Sequence, residues 1–273
     1  MSIYICSLNT GSNGNCFYIG TEKEAVLIDL GISFREVSRR MHRLNLQLSR
    51  IKAIFISHEH SDHIKGLYSF LKKYPVPVYI TTSTFASSGL YLQPECIKSF
   101  SAYNPVYVGD LKVTGFPKFH DAADPHSFQV SYNNINVGVF TDIGMPCEHV
   151  TYHFSQCHAA FLEANYDDTM LDNGGYPFHL KKRIKGQQGH LSNKQALDLF
   201  LQSRPAYMSH LFLSHLSKNN NSPELVRQLF EKSANNTRII IASRYEETEV
   251  YKIDAHHNLN ALSLAPLQME LEF

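Results

Sequence analysis

The sequence predicts a single α/β domain with two sheets at its centre, spanning residues 1–273. Three observations lead there. Short apolar strands alternate with amphipathic helices in both halves of the chain, the pattern of layered α/β folds. No repeat, low-complexity segment or Gly/Pro-rich linker marks a boundary between domains. One stretch, His58-Glu59-His60-Ser61-Asp62-His63, gathers chemistry in a way that needs a fold around it.

In order, Ile3 to Leu8 reads as a strand, and Asn9 to Asn15 as a turn-forming loop. Its glycines leave backbone N–H groups able to approach a ligand; a plain hairpin turn fits as well. Phe17 to Gly20 and Ala25 to Leu30 read as paired strands about a charged turn. Ser33 to Leu44 carries Phe34, Val37, Met41 and Leu44 on one face, an amphipathic helix. Ile51 to Ser57 is a short apolar strand. The His/Asp stretch follows it as a strand-to-helix loop, because Ile64, Leu67, Tyr68 and Leu71 then recur at helical spacing. Pro75 and Pro77 end that helix, and Val78 to Thr81 is the next strand.

Residues 82–105 carry no clear period. Beyond them Leu111 to Phe119, Phe128 to Tyr132 and Val137 to Thr141 read as strands, with Asn133-Asn134 as a hairpin signal. Then come a helix from Glu148 to Phe154, a strand from Ala159 to Leu162, and a helix from Asn193 to Gln202. Tyr207 to Leu213 is a strand and Pro223 to Lys232 a helix; strands Arg238 to Ala242 and Glu249 to Ile253 close the pattern.

Composition narrows the function classes. Lys and Arg number 25, as do Asp and Glu, so no global basic field announces a nucleic-acid partner and any such contact needs a local patch. The five cysteines are scattered and form no C-x-x-C pair, which suits a reducing compartment. The N-terminus lacks a basic segment followed by a long apolar one, and no apolar run reaches spanning length. These features point to a soluble cytoplasmic protein with no membrane partner.

Three imidazoles and a carboxylate within six residues, placed just after a buried strand, match what zinc or a similar borderline metal takes as ligands. Further candidates sit at other strand ends, where α/β folds usually build sites. His120 ends the strand at Phe119, Asp142 follows Thr141 with Gly144 close behind, and His215 follows Leu213-Ser214. His126 lies near His120 and competes with it; the strand-end position favours His120. Asp29 closes the strand Val26-Leu27-Ile28 and needs a partner if buried. It fits either a cap for the helix near Ser33 or a group that orients a ligating histidine.

Taken together, Asp29, His58-x-His60-x-Asp62-His63, His120, Asp142 and His215 occur in the order of the five motifs of the metallo-β-lactamase-fold hydrolases, which the chain resembles. The resemblance implies an αββα sandwich with two metals at one edge of the sheets. It implies that His58, His60 and His120 hold one ion, Asp62, His63 and His215 the other, and Asp142 bridges them, while Asp29 orients a ligand. Within that superfamily the chain is similar to the YycJ (WalJ, VicX) group of bacterial nucleases. The likeness rests on Leu8 to Asn15, Phe140-Thr141-Asp142-Ile143-Gly144, Leu162 to Asp167, Gly189-His190-Leu191-Ser192-Asn193 and Leu213 to Asn221. Membership would imply a metal-dependent DNA exonuclease acting from 5′ ends in DNA repair, with zinc, manganese or iron as the ions. The chain has neither the long Gly/Pro-rich arm of the tRNA-processing relatives nor the large insertion of the RNA-cleaving branch, so DNA is favoured over RNA.

Dimetal hydrolysis needs no amino-acid nucleophile. Asp62 and His190 are the catalytic candidates, His190 as proton donor or electrostatic stabiliser of the leaving oxygen, or else a structural residue beside the cap at Ser192. For substrate binding, the N–H groups of Thr10 to Asn15, with Asn13, Gly14 and Asn15 at the centre, would hold a 5′ phosphate. The basic run Lys181-Lys182-Arg183-Ile184-Lys185 offers cations for it. Tyr166 and Tyr176 could stack on bases. Three other readings stay open: an RNA-processing nuclease, a thioester or lactone hydrolase on the same centre, and a metal-bound regulatory protein.

Overall fold

The computed structural model describes residues 2–255; Met1 and 256–273 lie outside the described residues, and with them part of the expected 1–273 domain span. Two seven-stranded mixed sheets face each other, with helices on both outer sides: an αββα sandwich.

The first sheet takes β1 (Ser2–Asn9), β2 (Cys16–Gly20), β3 (Ala25–Ile28), β4 (Ile51–Phe55), β5 (Val78–Tyr79), β6 (Ile97–Lys98) and, from the far end of the chain, β14 (Tyr251–Asp254). Its order is β14-β1-β2-β3-β4-β5-β6, antiparallel as far as β3 and parallel from β3 onward. The second sheet takes β7 (Val106–Val108), β8 (Leu111–Pro117), β9 (His126–Tyr132), β10 (Ile135–Phe140), β11 (Ala159–Glu163), β12 (His210–Ser214) and β13 (Arg238–Ile241). Its order is β13-β12-β11-β10-β9-β8-β7, and it too has an antiparallel and a parallel half, parallel from β10 to β13.

Alternation along the strands builds the layers. In β1, Ile3 and Ile5 face the opposite sheet while Cys6 and Leu8 face outward. Between the sheets, Phe17 of β2 lies 4.8 Å from Phe161 of β11, and Phe55 of β4 meets Phe128 of β9 edge-on at 5.7 Å. Each buried phenyl ring contributes about 1.5–3 kcal/mol of transfer free energy. Outside the first sheet, α1 (Phe34–Arg43) packs Val37 and Met41 on Leu8 and Leu27. Outside the second, α5 (Glu148–Phe154), α8 (Asn193–Ser203) and α9 (Pro223–Glu231) bring in Phe154, Phe200 and Phe230.

Several elements differ from the sequence reading. The helix expected up to Tyr74 is two short pieces, α2 (Ser61–Ile64) and α3 (Leu67–Leu71), and Asp62 and His63 already lie in the first of them. Residues 82–105 hold α4 (Thr82–Ser88) and β6, and two further helices, α6 (Asp168–Asn173) and α7 (Phe178–Lys185), had no assignment. These pieces are too short for a period to show. Strand β8 stops at Pro117, so Phe119 and His120 sit on the loop beyond it. The Asn133-Asn134 turn is as expected, with both φ angles positive (46° and 64°), as a tight hairpin of type I′ needs.

One backbone knot holds the strand-end loops together. Asn15 N–H donates to Asp62 O, Gly31 N–H to Asn15 O, Leu30 N–H to His63 O and Gly66 N–H to Leu30 O. The strands can approach this closely only because residue 31 has no side chain: a Cβ there would stand 1.7 Å from Asp62 O. Gly31→Ala is therefore expected to cost about 1–3 kcal/mol or more, the range for overpacking, and to displace the Asp62 loop. Gly175→Ala, at a site with open space, should melt like the parent in thermal denaturation.

Candidate metal centre

The parallel strands of both sheets end at one edge, and the polar residues gather there. Asp29 follows β3, His58 to His63 follow β4, Asp142 follows β10 and His215 follows β12; Glu163 is the last residue of β11. Asp29, Asp142 and His215 all adopt left-handed backbone, with φ of 60°, 53° and 57°. Such angles are uncommon outside glycine and concentrate at functional sites.

Four overlapping groups have ligand atoms within 4.8 Å of one another: His58, His60 and His120; Asp62, His63 and His215; His58, His63 and Asp142; and Asp142, Glu163, His190 and His215. Every metal candidate named from the sequence is in at least one of them. His58, His63, Asp142 and His215 each belong to two, so the groups run into one another. His126 is in none: its Nδ1 donates to Asp124 O at 2.9 Å, and its ring packs against Phe100.

The histidines are held by their outward nitrogens. His63 Nδ1 donates to Asp29 Oδ2 at 2.7 Å, and His120 Nδ1 to Gly189 O at 3.0 Å. His215 Nδ1 donates to Glu163 Oε1 at 3.1 Å. Ser57 Oγ donates to Asp29 Oδ2 at 2.9 Å and is left to accept from His58 Nδ1 at 2.8 Å. A hydrogen bond at Nδ1 fixes the tautomer that leaves Nε2 with a free lone pair. Asp29 is fully buried and is satisfied by Ser57 N, Ser57 Oγ and His63, so it orients histidines; the alternative, a cap for α1, is taken by Ser33.

The inward nitrogens converge on one another. His60 Nδ1 lies 3.2 Å from His58 Nε2 and 3.3 Å from His120 Nε2. Three imidazole nitrogens so placed cannot all be satisfied by one another's protons. His215 Nε2 and Asp142 Oδ2 are buried with no hydrogen bond, although Asp142 Oδ2 is 3.0 Å from His63 Nε2. Orphaned, converging lone pairs of imidazole and carboxylate are the donor set of borderline divalent metals. The residues present fit the group.

The electrostatics agree. Burial pushes the His63 imidazolium down, but the carboxylates of Asp29, Asp142 and Asp62 outweigh it and raise its pKa to about 10. Against the same burial, Asp142, Asp62 and Glu163 hold His215 well above its ordinary value. Burial alone dominates at His58, well below the usual range, and at His120, lowered to about 4. The carboxylate side of the cluster thus draws positive charge, while burial keeps His58 and His120 neutral, the form that ligates.

Sequence reasoning missed two residues. Glu163 accepts from His190 Nδ1 at 2.7 Å, from His215 Nδ1 and from Ile143 N at 2.7 Å, tying His190 to the centre. A charged residue closing the otherwise apolar run Ala159 to Leu162 was the available signal. Lys118 is buried behind Asp142 and donates to Thr141 O at 2.6 Å; burial lowers its pKa, countered by Asp142, Asp29 and Glu163.

The chain belongs to the metallo-β-lactamase superfamily. The model of that superfamily matches residues 9–158. Exodeoxyribonuclease YycJ of Bacillus anthracis is 32% identical over 232 residues, 83% of this chain and 87% of that protein. Exodeoxyribonuclease WalJ of Streptococcus pneumoniae serotype 2 (strain D39 / NCTC 7466) is 30% identical over 227 residues, 80% and 83% of the two chains. Among solved structures, the metallo-β-lactamase fold protein YhfI of Bacillus subtilis superposes with a TM-score of 0.70 at 14% identity, over 92% of this chain and all of that one. The short form of human tRNase Z superposes at 0.58 and 17% identity, over 91% and 99%. The metallo-β-lactamase hydrolase fold implies divalent metal binding, and the strand-end cluster is where this chain has the ligands for it.

The expected substrate groups fare differently. Gly11, Gly14 and Asn15 N–H are engaged by Asn15 Oδ1, Gly11 O and Asp62 O, so the loop offers fewer free donors than its composition suggested. Asn15 Nδ2 faces Asp62 and His63, and Asn13 Nδ2 donates to Arg244 O. In the basic run on α7, Lys181 bonds Asp172 O, Lys185 pairs with Asp172, and Arg183 pairs with Asp121 beside His120; Lys182 has no partner among the described residues. Tyr166 is 3% exposed and is closed to base stacking. The cap of α8 is Ser192 with Gln195, so His190 does not cap that helix.

The geometry gives a direct test. His120→Ala should lose bound metal by elemental analysis, while His126→Ala should keep the parent's content. The reverse result would transfer the ligand role to His126.

Proposed function

We propose that the protein is a metal-dependent exodeoxyribonuclease that degrades DNA from 5′ ends in the cytoplasm, in the service of DNA repair, with residues 1–273 working as one hydrolase domain. The observation that carries this reading is the joining of a two-part ligand cluster to a Glu163–His190 pair in a chain about 30% identical to named exodeoxyribonucleases over four fifths of its length. The buried free cysteines, and the lack of any described helix long and apolar enough to cross a membrane, suit that setting.

In this reading His58, His60 and His120 would hold one ion and Asp62, His63 and His215 a second, with Asp142 as a ligand available to both. Zinc and manganese suit the ligands, and iron is tolerated. When bound, the ions supply Lewis acidity that neutralises phosphodiester charge and lowers the pKa of water. The protein's own part is orientation and proton transfer. Asp29 and Glu163 fix the ring planes of His63 and His215. Asp62 Oδ2, 3.6 Å from both His63 Nε2 and His215 Nε2, is placed to hold a ligand and to accept a proton from the attacking water. Glu163 accepts from His190 Nδ1 at 2.7 Å and fixes its ring, so that His190 serves at the leaving oxygen as proton donor or electrostatic stabiliser.

If His190 acts on the leaving group, His190→Ala should keep its metal and its DNA affinity but lose roughly 10²–10⁴-fold in turnover, the usual range for a general acid. Loss of metal would make it a ligand, and normal turnover with lowered stability would make it structural. For the reaction itself, linear 5′-phosphorylated, 5′-hydroxyl, 3′-blocked and closed circular DNA are compared with RNA and with a thioester. Rapid release of short products from 5′-phosphorylated ends, with circles untouched, is the expected result. Equal rates on circles would indicate an endonuclease, preference for RNA an RNA-processing enzyme, and thioester turnover without DNA cleavage a small-molecule hydrolase.

A further inference from the structure

Beside the metal centre, at the same strand-end edge, lies a cavity of about 330 Å³ between the segments that follow β1, β12 and β13 and the start of α9. Its walls include Thr10, Leu216 and Ile241, and three cations border it: Lys218, Arg227 and Arg244. Thr10 links the two places, because its Oγ1 accepts from His215 N at 2.9 Å while it also lines the cavity. Leu216 follows His215 directly, so the cavity stands one residue from the centre.

The three cations are not balanced. Arg227 has Glu231 at 3.4 Å, an exposed pair of little strength. Lys218 makes no side-chain hydrogen bond or ion pair among the described residues; Arg244 has only the Tyr245 ring, 6.0 Å away. In a chain whose formal net charge is zero, and whose α7 run has Arg183 and Lys185 paired with acids, this is poorly compensated positive charge on a concave surface. An anion there would relieve mutual repulsion, and a guanidinium beside an ammonium suits a phosphate. The volume is at the small end for ligand sites, nearer one nucleotide than a duplex, and Leu216 and Ile241 give an apolar wall for a base.

We propose that this cavity is a nucleotide subsite of the DNA strand being cut, with its phosphate on Lys218 and Arg244 and its base against Leu216 and Ile241. The inference rests on the nuclease reading, and it puts the phosphate-holding role here rather than on the internally bonded Thr10 to Asn15 loop. Asn13, which donates to Arg244 O, then serves by bracing the cavity wall.

The test uses the metal-loaded full chain. Lys218→Ala with Arg244→Ala should raise KM for 5′-phosphorylated DNA about ten- to hundredfold, the weight of one or two charge-assisted hydrogen bonds, with kcat little changed, the signature of lost ground-state binding. The salt dependence of binding to a phosphorothioate oligonucleotide should flatten by about one to two in slope. Loss confined to phosphorylated ends assigns the terminal phosphate to the cavity, and equal loss on 5′-hydroxyl DNA assigns an internal one. Exposed Lys218→Ala alone should shift KM in the same direction, guarding against misfolding of the double variant. A parent that cleaves DNA beside a double variant with the same KM and salt slope would overturn the subsite. A parent that leaves all DNA intact overturns the nuclease reading instead, and binding of adenosine 5′-monophosphate, present in the parent and lost in the double variant, would then still support the cavity.

Discussion

The structure depends on one constraint: several buried imidazoles must point unpaired nitrogens at a common place. A buried polar atom without a partner costs free energy of order 1–3 kcal/mol, so such an array cannot stand by itself. For His58, His63, His120, His190 and His215 the fold meets the cost on the far side of the ring. Asp29 takes protons from Ser57 and His63, Glu163 from His190 and His215, and Gly189 O from His120. Each anchor is itself built into a strand end or an adjoining loop, so ring orientation is inherited from the sheets. The remaining strain sits at His215 Nε2 and Asp142 Oδ2, where a cation has most to offer.

The two sheets supply this in matching ways. Each runs antiparallel in one half and parallel in the other, and the parallel halves end at the same edge. The left-handed turns at Asp29, Asp142 and His215 come directly at or just beyond the ends of β3, β10 and β12, where the chain must leave the sheet and send a side chain into the cleft. Aspartate tolerates that conformation better than most residues; histidine at 215 is held there by Thr10 and Asn165, which bond its backbone N–H and C=O.

The site was legible where its residues are contiguous or end an apolar run. H-x-H-x-D-H is visible as a string, and Asp142 and His215 stand out because a strand precedes each. His120 was favoured over His126 by its strand-end position, and the fold separates the two by what it places opposite each. Glu163 was missed for another reason: a carboxylate closing an apolar run is a faint signal without a spacing partner, and its meaning comes from His190 and His215, 27 and 52 residues on. The layered α/β architecture followed from strand and helix patterns, while α4, α6 and α7 escaped because pieces of six to eight residues carry too few turns to register as periodic. In the Gly/Asn loop, Asn15 donates to Asp62 O and accepts from Gly31 N–H, which ties the β1, β3 and β4 ends together, a task that composition alone does not distinguish from cradling an anion.

Strand β14 pairs with β1 in the register Ile3 to Ile253, so the first sheet is finished by almost the last described residues. During synthesis the N-terminal half would emerge and collapse with the β1 edge unpaired, its hydrogen-bonding groups open to any passing strand. Only when residues 251–254 arrive is that edge covered. The order of events matters for a hydrolase: His215, Glu163 and the second sheet also come late, so the early half carries His58 to His63 without the carboxylates and rings that complete the centre. A nascent or truncated chain would hold imidazoles able to scavenge metal but not the constellation that uses it, and catalytic competence would appear only after β14 has closed on β1.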